Sequence, residues 1–325
     1  MIWNQWYAIL PSKAVRPGGV TAAKRLGLEL ALFRTAGGTL GCVADRCTHR
    51  GAALSLGRLK GDCLQCPFHG LEFYADGRCS FVPAGGRADT SDLTRFNVRR
   101  YLVREAHGII YFWYGDEAQA SDELPFFPDE LDDSCPYSEM ADLWDAHYSR
   151  CIENQLDVVH LPFVHRNTIG RGNKTVVNGP KIVAEEDGFR TSANNEADVG
   201  QTPRKAADCV IRPTYLRFRF PNIWLNHITD KLKILIFFAP VDEEHTILYI
   251  RFYCSLTGLS GLNAAIAQLG KTGNRIVERQ DRRVVVTQQP KPSAYKSQEK
   301  LLPGDGPVIQ YRRLREEKKQ APQGS

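Results

Sequence analysis

Cys47 and His49 lie two residues apart, Cys66 and His69 lie three apart, and sixteen residues separate the pairs. Each short loop therefore offers one thiolate and one imidazole. Four such ligands can hold a [2Fe–2S] cluster, with two cysteines on one iron and two histidines on the other. Exchanging two thiolates for neutral imidazoles removes negative charge and raises the reduction potential, which suits a relay of single electrons. Zinc accepts the same ligand set, but zinc fingers pair cysteine with cysteine in one loop and histidine with histidine in another. Gly51 and Gly70 follow the loops and let the backbone approach a cluster closely. Cys63 and Cys66 form a CxxC that on its own suggests a redox dithiol. Using it would orphan His49 and His69, so Cys63 reads as a bystander.

A second constellation runs from Glu153 as ENQLDVVHLPFVH. Asp157 and His160 are three apart and would share a helix face. His165 falls off that stripe, and Pro162 would disturb the helix and swing it back. Two neutral histidines with a carboxylate make the facial triad of non-haem Fe(II) sites, which leaves coordination positions open. Asn154, one turn before Asp157, could touch such a site or join a structural hydrogen-bond network. Asn226 and His227 lie in an apolar strand, NIWLNHI, that could line a pocket or be paired within a sheet. His147, near the expected helix start, reads as structural.

These residues need elements to carry them. Short apolar runs broken by glycine (28–33, 41–44, 71–74 and 109–114) predict a small all-β unit in the first third. From Asp116 to Asp133 the chain carries eight acidic residues, no basic ones, and Pro125 and Pro128, the composition of a linker or a solvated loop. Beyond it, the segment from Leu143 towards Val164 reads as helix in its first part. The runs 222–228, 233–239 and 246–253 read as strands, with 242–244 in a turn. The glycine- and proline-free stretch Asn274–Gln289 reads as helix, and the polar tail after Arg315 as frayed. The expected division is 1–117 for the β domain, 118–139 for the linker and 140–325 for a mixed second domain.

The 325-residue chain is 42% hydrophobic and 24% charged, an ordinary globular composition with room for two cores. Its net charge of +5 is mild, and no basic stripe with interleaved aromatics speaks for nucleic acid. The start, MIWNQWYAIL, lacks a basic leader and a long apolar stretch, and the run 234–239 is too short to span a bilayer. A soluble, cytoplasmic protein with no membrane contact is expected. Nine cysteines in a long chain do not make a disulfide scaffold.

The runs CTHRGAALSLG and CPFHGLEFYADGRC resemble the two loops of the Rieske domain of ring-hydroxylating non-haem iron oxygenases. His69-Gly70-Leu71 departs from the His-Gly-Trp common in that family and is nearer the vanillate-demethylase-like branch. Asp157, His160 and His165 match the family's Asp-x-x-His-x-x-x-x-His motif, and Trp3, Trp6 and Tyr7 resemble its aromatic N-terminus. The resemblance implies an α+β architecture: an N-terminal all-β Rieske domain, then a C-terminal helix-grip (START-like) catalytic domain with an antiparallel sheet and helices. It assigns Cys47, His49, Cys66 and His69 to the cluster, and His160 and His165 to a mononuclear Fe(II). Asp157 becomes the bridge between an iron histidine and a cluster histidine of a neighbouring subunit. The third iron ligand then comes from elsewhere. On a late helix, Val277, Asp281, Val284 and Gln288 would form one face, and an acid there is costly to bury unless paired or metal-bound. Asp281 is the candidate, against a salt bridge to Arg282 or Arg283, with Glu278 as the other carboxylate.

The resemblance further implies the terminal oxygenase of a multicomponent system. Such a component takes O2 and the electrons of a NAD(P)H-dependent reductase, with or without a ferredoxin. It works as a ring of like subunits, a homotrimer. Monooxygenation or oxidative demethylation of a small aromatic substrate is the leading expectation. Aromatic cis-dihydroxylation is the second, and a non-enzymatic Rieske electron carrier the third.

Overall fold

The computed structural model describes residues 1–131 and 133–320. Two compact units divide it: Asn4–Leu124, and Met1–Trp3 with Pro125–Ser325.

The first unit is built from strands β1 (Gln5–Pro11), β2 (Val20–Arg25), β3 (Leu28–Arg34), β4 (Leu40–Ala44), β5 (Arg58–Lys60), β6 (Cys63–Gln65), β7 (Glu72–Phe73), β8 (Cys79–Phe81), β9 (Val103–Ala106) and β10 (Ile109–Tyr114). They form three small antiparallel sheets, β1-β10-β9, β2-β3-β4 and β5-β6-β7-β8. The aromatic and branched side chains that favour strands also supply the core, where Phe33, Val43, Leu54, Leu64 and Phe73 pack against Cys47 and Cys66. Trp6 and Tyr7 are buried as well. Trp3 is not; it is 40% exposed.

The second unit carries one seven-stranded antiparallel sheet in the order β11-β17-β16-β15-β14-β13-β12. Its strands are β11 (Tyr137–Trp144), β12 (Val176–Glu185), β13 (Gly188–Glu196), β14 (Tyr215–Arg219), β15 (Ile223–Thr229), β16 (Leu232–Pro240) and β17 (Thr246–Cys254). The expected α+β architecture holds. Four helices accompany the sheet: α1 (Tyr148–Leu156), α2 (Leu161–Val164), α3 (Ser260–Val285) and α4 (Gly306–Gln320). Helix α3 lies over β11 and β17, and α1 packs on β16, α3 and α4. The core between them includes Trp144, Ile152, Leu156, Phe218, Ile236 and Tyr311. Within the acidic segment after the first unit, Phe126, Phe127 and Leu131 are buried, and the Arg219 guanidinium donates to the Phe126 carbonyl.

Several local expectations change. Leu143 and Trp144 end a strand, paired with Ile247 and Thr246, and the helix starts only at Tyr148, where the His147 ring accepts from the Ser149 amide as its cap. Helix α3 begins fourteen residues before Asn274, because packing overrides the cost of Gly270 and Gly273 inside it. It ends at Val285, short of Pro290. The tail after Arg315 is helical as far as Gln320 because Tyr311, Arg312 and Arg315 are anchored in the core.

Candidate functional site: two metal centres

In the first unit the two ligand loops repeat one geometry. The Cys47 amide donates to the Ala52 carbonyl at 2.8 Å and the Cys66 amide to the Leu71 carbonyl at 2.7 Å. The Gly51 and Gly70 amides close each loop onto the Cys47 and Cys66 carbonyls at 2.8 and 3.1 Å. Both glycines adopt positive φ, +77° and +75°, which side-chain-bearing residues resist. The two thiols are buried together, and burial with the neighbouring Cys66 thiol pushes the Cys47 thiol up to about 11. The His49 and His69 rings are exposed and lie 4.5 Å apart between centroids. A pair of buried sulfurs beside a pair of exposed imidazoles fits two irons with different ligands. Cys63 contacts the Ser80 hydroxyl at 3.3 Å instead.

In the second unit, α1 stops at Leu156. Asp157 is extended, and its Oδ1 accepts from the Val159 amide at 2.6 Å, a side-chain turn that competes with further helix. Asp157 and His160 therefore do not share a helix. They meet across this turn, with Asp157 Oδ2 3.4 Å from His160 Nδ1. Pro162 does not interrupt a helix; it sits in the first turn of α2, where its missing N–H costs nothing. After α2 the chain reverses at Gly170, whose amide donates to the His165 carbonyl. A Cβ at Gly170 would stand 1.9 Å from the Leu161 carbonyl oxygen, so no larger residue fits this loop.

His160 and His165 converge on Asp281 of α3. His165 Nε2 lies 2.9 Å and His160 Nε2 3.4 Å from Asp281 Oδ1. One ligand atom from each residue lies within 4.8 Å of the others. Asp281 Oδ1 is buried with no hydrogen bond of its own, an arrangement that is costly without a cation. Its other oxygen accepts from the Gln155 amide at 3.4 Å. Arg282 pairs with Asp142 rather than with Asp281, and Asp281 faces the two imidazoles, as its reading as the ligand candidate requires. The buried stripe of α3 runs through Glu278, Asp281 and Val285, whereas Val284 is 41% exposed. The expected face was thus offset by one position. Glu278 is turned to the Trp144 indole N–H and to Asp142; burial first, then the Asp142 carboxylate, push its carboxyl up to about 8.

Sequence reasoning missed Gln280. Its Oε1 accepts from His165 Nδ1 at 2.8 Å and from the Thr168 hydroxyl at 2.9 Å. The amide oxygen can only accept, so the proton sits on Nδ1 and Nε2 keeps its lone pair for a metal. Burial alone would lower the His165 pKa, but Asp281 and Gln280 outweigh it and raise it.

These groups edge a cavity of about 290 Å³. Leu216, Ile234, Ile236, Leu248 and Ile250 form much of its wall. Asn154 and Asn226 both line it; Asn154 Nδ2 and Asn226 Oδ1 have no hydrogen-bond partner. His227 pairs with Glu130 at 2.9 Å.

A β domain with a mixed Cys/His cluster site, followed by a helix-covered sheet with a two-histidine, one-carboxylate site, defines a class of iron protein. Residues 5–100 match the Rieske [2Fe-2S] domain, and residues 144–321 match the vanillate O-demethylase oxygenase C-terminal domain. The chain belongs to this family of Rieske oxygenase components. It is 35% identical over 196 residues to the chloroacetanilide N-alkylformylase oxygenase component of Rhizorhabdus wittichii (58% of this chain, 54% of that protein). It is 37% identical over 166 residues to the dicamba O-demethylase oxygenase component of Stenotrophomonas maltophilia (50% and 47%). The chain thus spans about half the length of these curated relatives. Among solved structures it is similar to Pseudomonas putida CBB5 NdmA, with a TM-score of 0.80 at 23% identity over 98% of this chain and 91% of that one. Dicamba monooxygenase bound to dicamba follows at 0.70 and 18%, covering 98% of each chain.

Proposed function

We propose that this chain is the terminal oxygenase component of a Rieske system. It would use O2 and electrons from a NAD(P)H-dependent reductase, directly or through a ferredoxin, to hydroxylate or oxidatively demethylate a small aromatic molecule. The observation that carries this reading is the convergence of His160, His165 and Asp281 at the edge of an apolar cavity. Similarity to a demethylase and to two monooxygenases supports the choice of chemistry.

Cys47, His49, Cys66 and His69 would hold the cluster; His160, His165 and Asp281 would hold the iron. Iron in such a site supplies oxygen activation, a chemistry no side chain offers. The chain's own residues do the rest. Gln280 fixes the tautomer of His165. The aliphatic wall excludes water. Asp157, with 27% of its side chain exposed, keeps an edge free beyond His160, while His49 and His69 are exposed on the first unit. A carboxylate accepting from two ligand imidazoles would hold both rings. That role calls for a closed ring of like subunits, a homotrimer, in which Asp157 of one meets a cluster histidine of the next. The division into a Rieske domain (1–117), a linker (118–139) and a catalytic domain (140–325) is part of this reading. So is a cytoplasmic location, where a reductase draws on NAD(P)H. No helix among the described residues is long and apolar enough to cross a membrane.

The test is iron and labile sulfide per chain, with product analysis. The reading expects chelatable iron beyond the cluster, and formaldehyde or a monohydroxylated product. Asp281→Ala should lose that iron and turnover yet keep the cluster spectrum. Full turnover in that variant would refute the ligand assignment. A cis-diol would select dihydroxylation, and iron confined to the cluster would select an electron carrier.

A further inference from the structure

The polar groups of the cavity say more than its size. Trp224 and Asn226 stand two apart on β15 and so share one face of the sheet. Their partners in register are Ile236 and Ile234 of β16, which line the same cavity. In this apolar setting the Trp224 Nε1–H and the Asn226 Oδ1 are both buried without a protein partner. Native folds rarely leave a buried donor and a buried acceptor unmet on adjacent positions of one wall. A ligand that supplies the complementary acceptor and donor satisfies both.

Charge narrows the class further. Among the described residues that line the cavity there is no lysine and no arginine. The acids there are Asp157, Glu278 and Asp281. A carboxylate or sulfonate brought inside would find no cation from the chain, and the two charges of a bound Fe(II) would be met by Asp281 together with Asp157, which lies 3.4 Å from His160. The volume, about 290 Å³, is near twice the ~150 Å³ that holds one benzene.

Resting on the oxygenase reading above, we infer that the substrate is a neutral, mostly apolar molecule of one to two rings. It carries a hydrogen-bond acceptor for Trp224 Nε1 and a separate donor for Asn226 Oδ1, and anionic aromatics are rejected.

The test is anaerobic calorimetric titration of the iron-loaded protein with three probes of similar size. Quinolin-2-one is a neutral lactam with acceptor and donor, quinoline has an acceptor only, and 2-naphthoate is an anion. The lactam should bind tightest and 2-naphthoate at least tenfold more weakly. Trp224→Phe should weaken lactam and quinoline alike, by about 2- to 12-fold for one hydrogen bond. Asn226→Leu should weaken the lactam by a similar factor and leave quinoline unchanged, a contrast that a misfolded variant would not show. The inference is overturned if 2-naphthoate binds as tightly as the lactam. It is equally overturned if neither variant alters lactam binding, or if the lactam fails to bind at millimolar concentration. Iron counted on the same samples separates the two readings: the expected binding order on a chain that takes up no iron beyond the cluster would overturn the oxygenase and leave the ligand class standing.

Discussion

Replacing Gln280 by leucine should loosen the mononuclear iron without touching the cluster. Leucine is of similar size but has no amide, so the acceptor for His165 Nδ1 at 2.8 Å and Thr168 Oγ1 at 2.9 Å is lost. His165 is 1% exposed, so water cannot replace the lost acceptor. A buried donor left unmet costs about 1–3 kcal/mol, and at about 1.4 kcal/mol per decade the metal should bind roughly 5- to 150-fold more weakly. Outer partners of metal-bound histidines typically shift metal affinity by about 10- to 100-fold, the same range. The assay is competition with a ferrous chelator, with the visible absorption of the cluster as internal control. Gln280→Glu keeps an acceptor and should retain most of the iron. Iron affinity within twofold of the parent in Gln280→Leu, or equal loss of cluster and iron, would refute the reasoning.

Other expectations concern the frame of the site. His147 is buried among Arg315, Lys319 and Arg150, and burial first, then these cations, lower its pKa to about 3. Its folded value lies below the unfolded one, so the unfolded chain binds the extra proton, and stability should fall as pH drops from about 6.5 towards 3, at up to ~1.4 kcal/mol per pH unit. His147→Asn, which can still cap α1, should flatten that slope in urea titrations across pH. Glu153 is buried and takes two bonds from Arg312, at 2.8 and 2.7 Å. Arg312→Met should cost up to about 3–5 kcal/mol in urea unfolding, because Glu153 then keeps only Arg150, at 3.3 Å, and adding Glu153→Leu should recover part of it. Gly170→Ala must shift the Leu161 carbonyl and with it His165, so iron occupancy should fall while cluster absorption stays.

The cluster loops are legible in the sequence because each is a short local run, and the strands β15, β16 and β17 because their apolar patterns are continuous. Helix α3 is legible only in its second half. Its glycines argue locally against the first half, and contact with β11 and β17 overrides them. Asp281 is singled out as a buried acid on a late helix, yet on a face displaced by one position, since 3.6-residue periodicity does not say where the neighbours stand. Asp157 and His160 are in contact as their spacing suggests, but through a side-chain turn.

Sequence alone determined which residue types could bind metal, the family they resemble and the order of a β unit before a helix-covered sheet, because those properties are written in local runs. Only the tertiary structure decided that Gln280 orients His165, that Gly170 admits no side chain, and that Trp224 and Asn226 line a cavity with no lysine or arginine among its described lining residues. Each depends on a partner more than a hundred residues away, on the exact approach of two backbone segments, or on which side chains are missing from a cavity, and no window of sequence contains these.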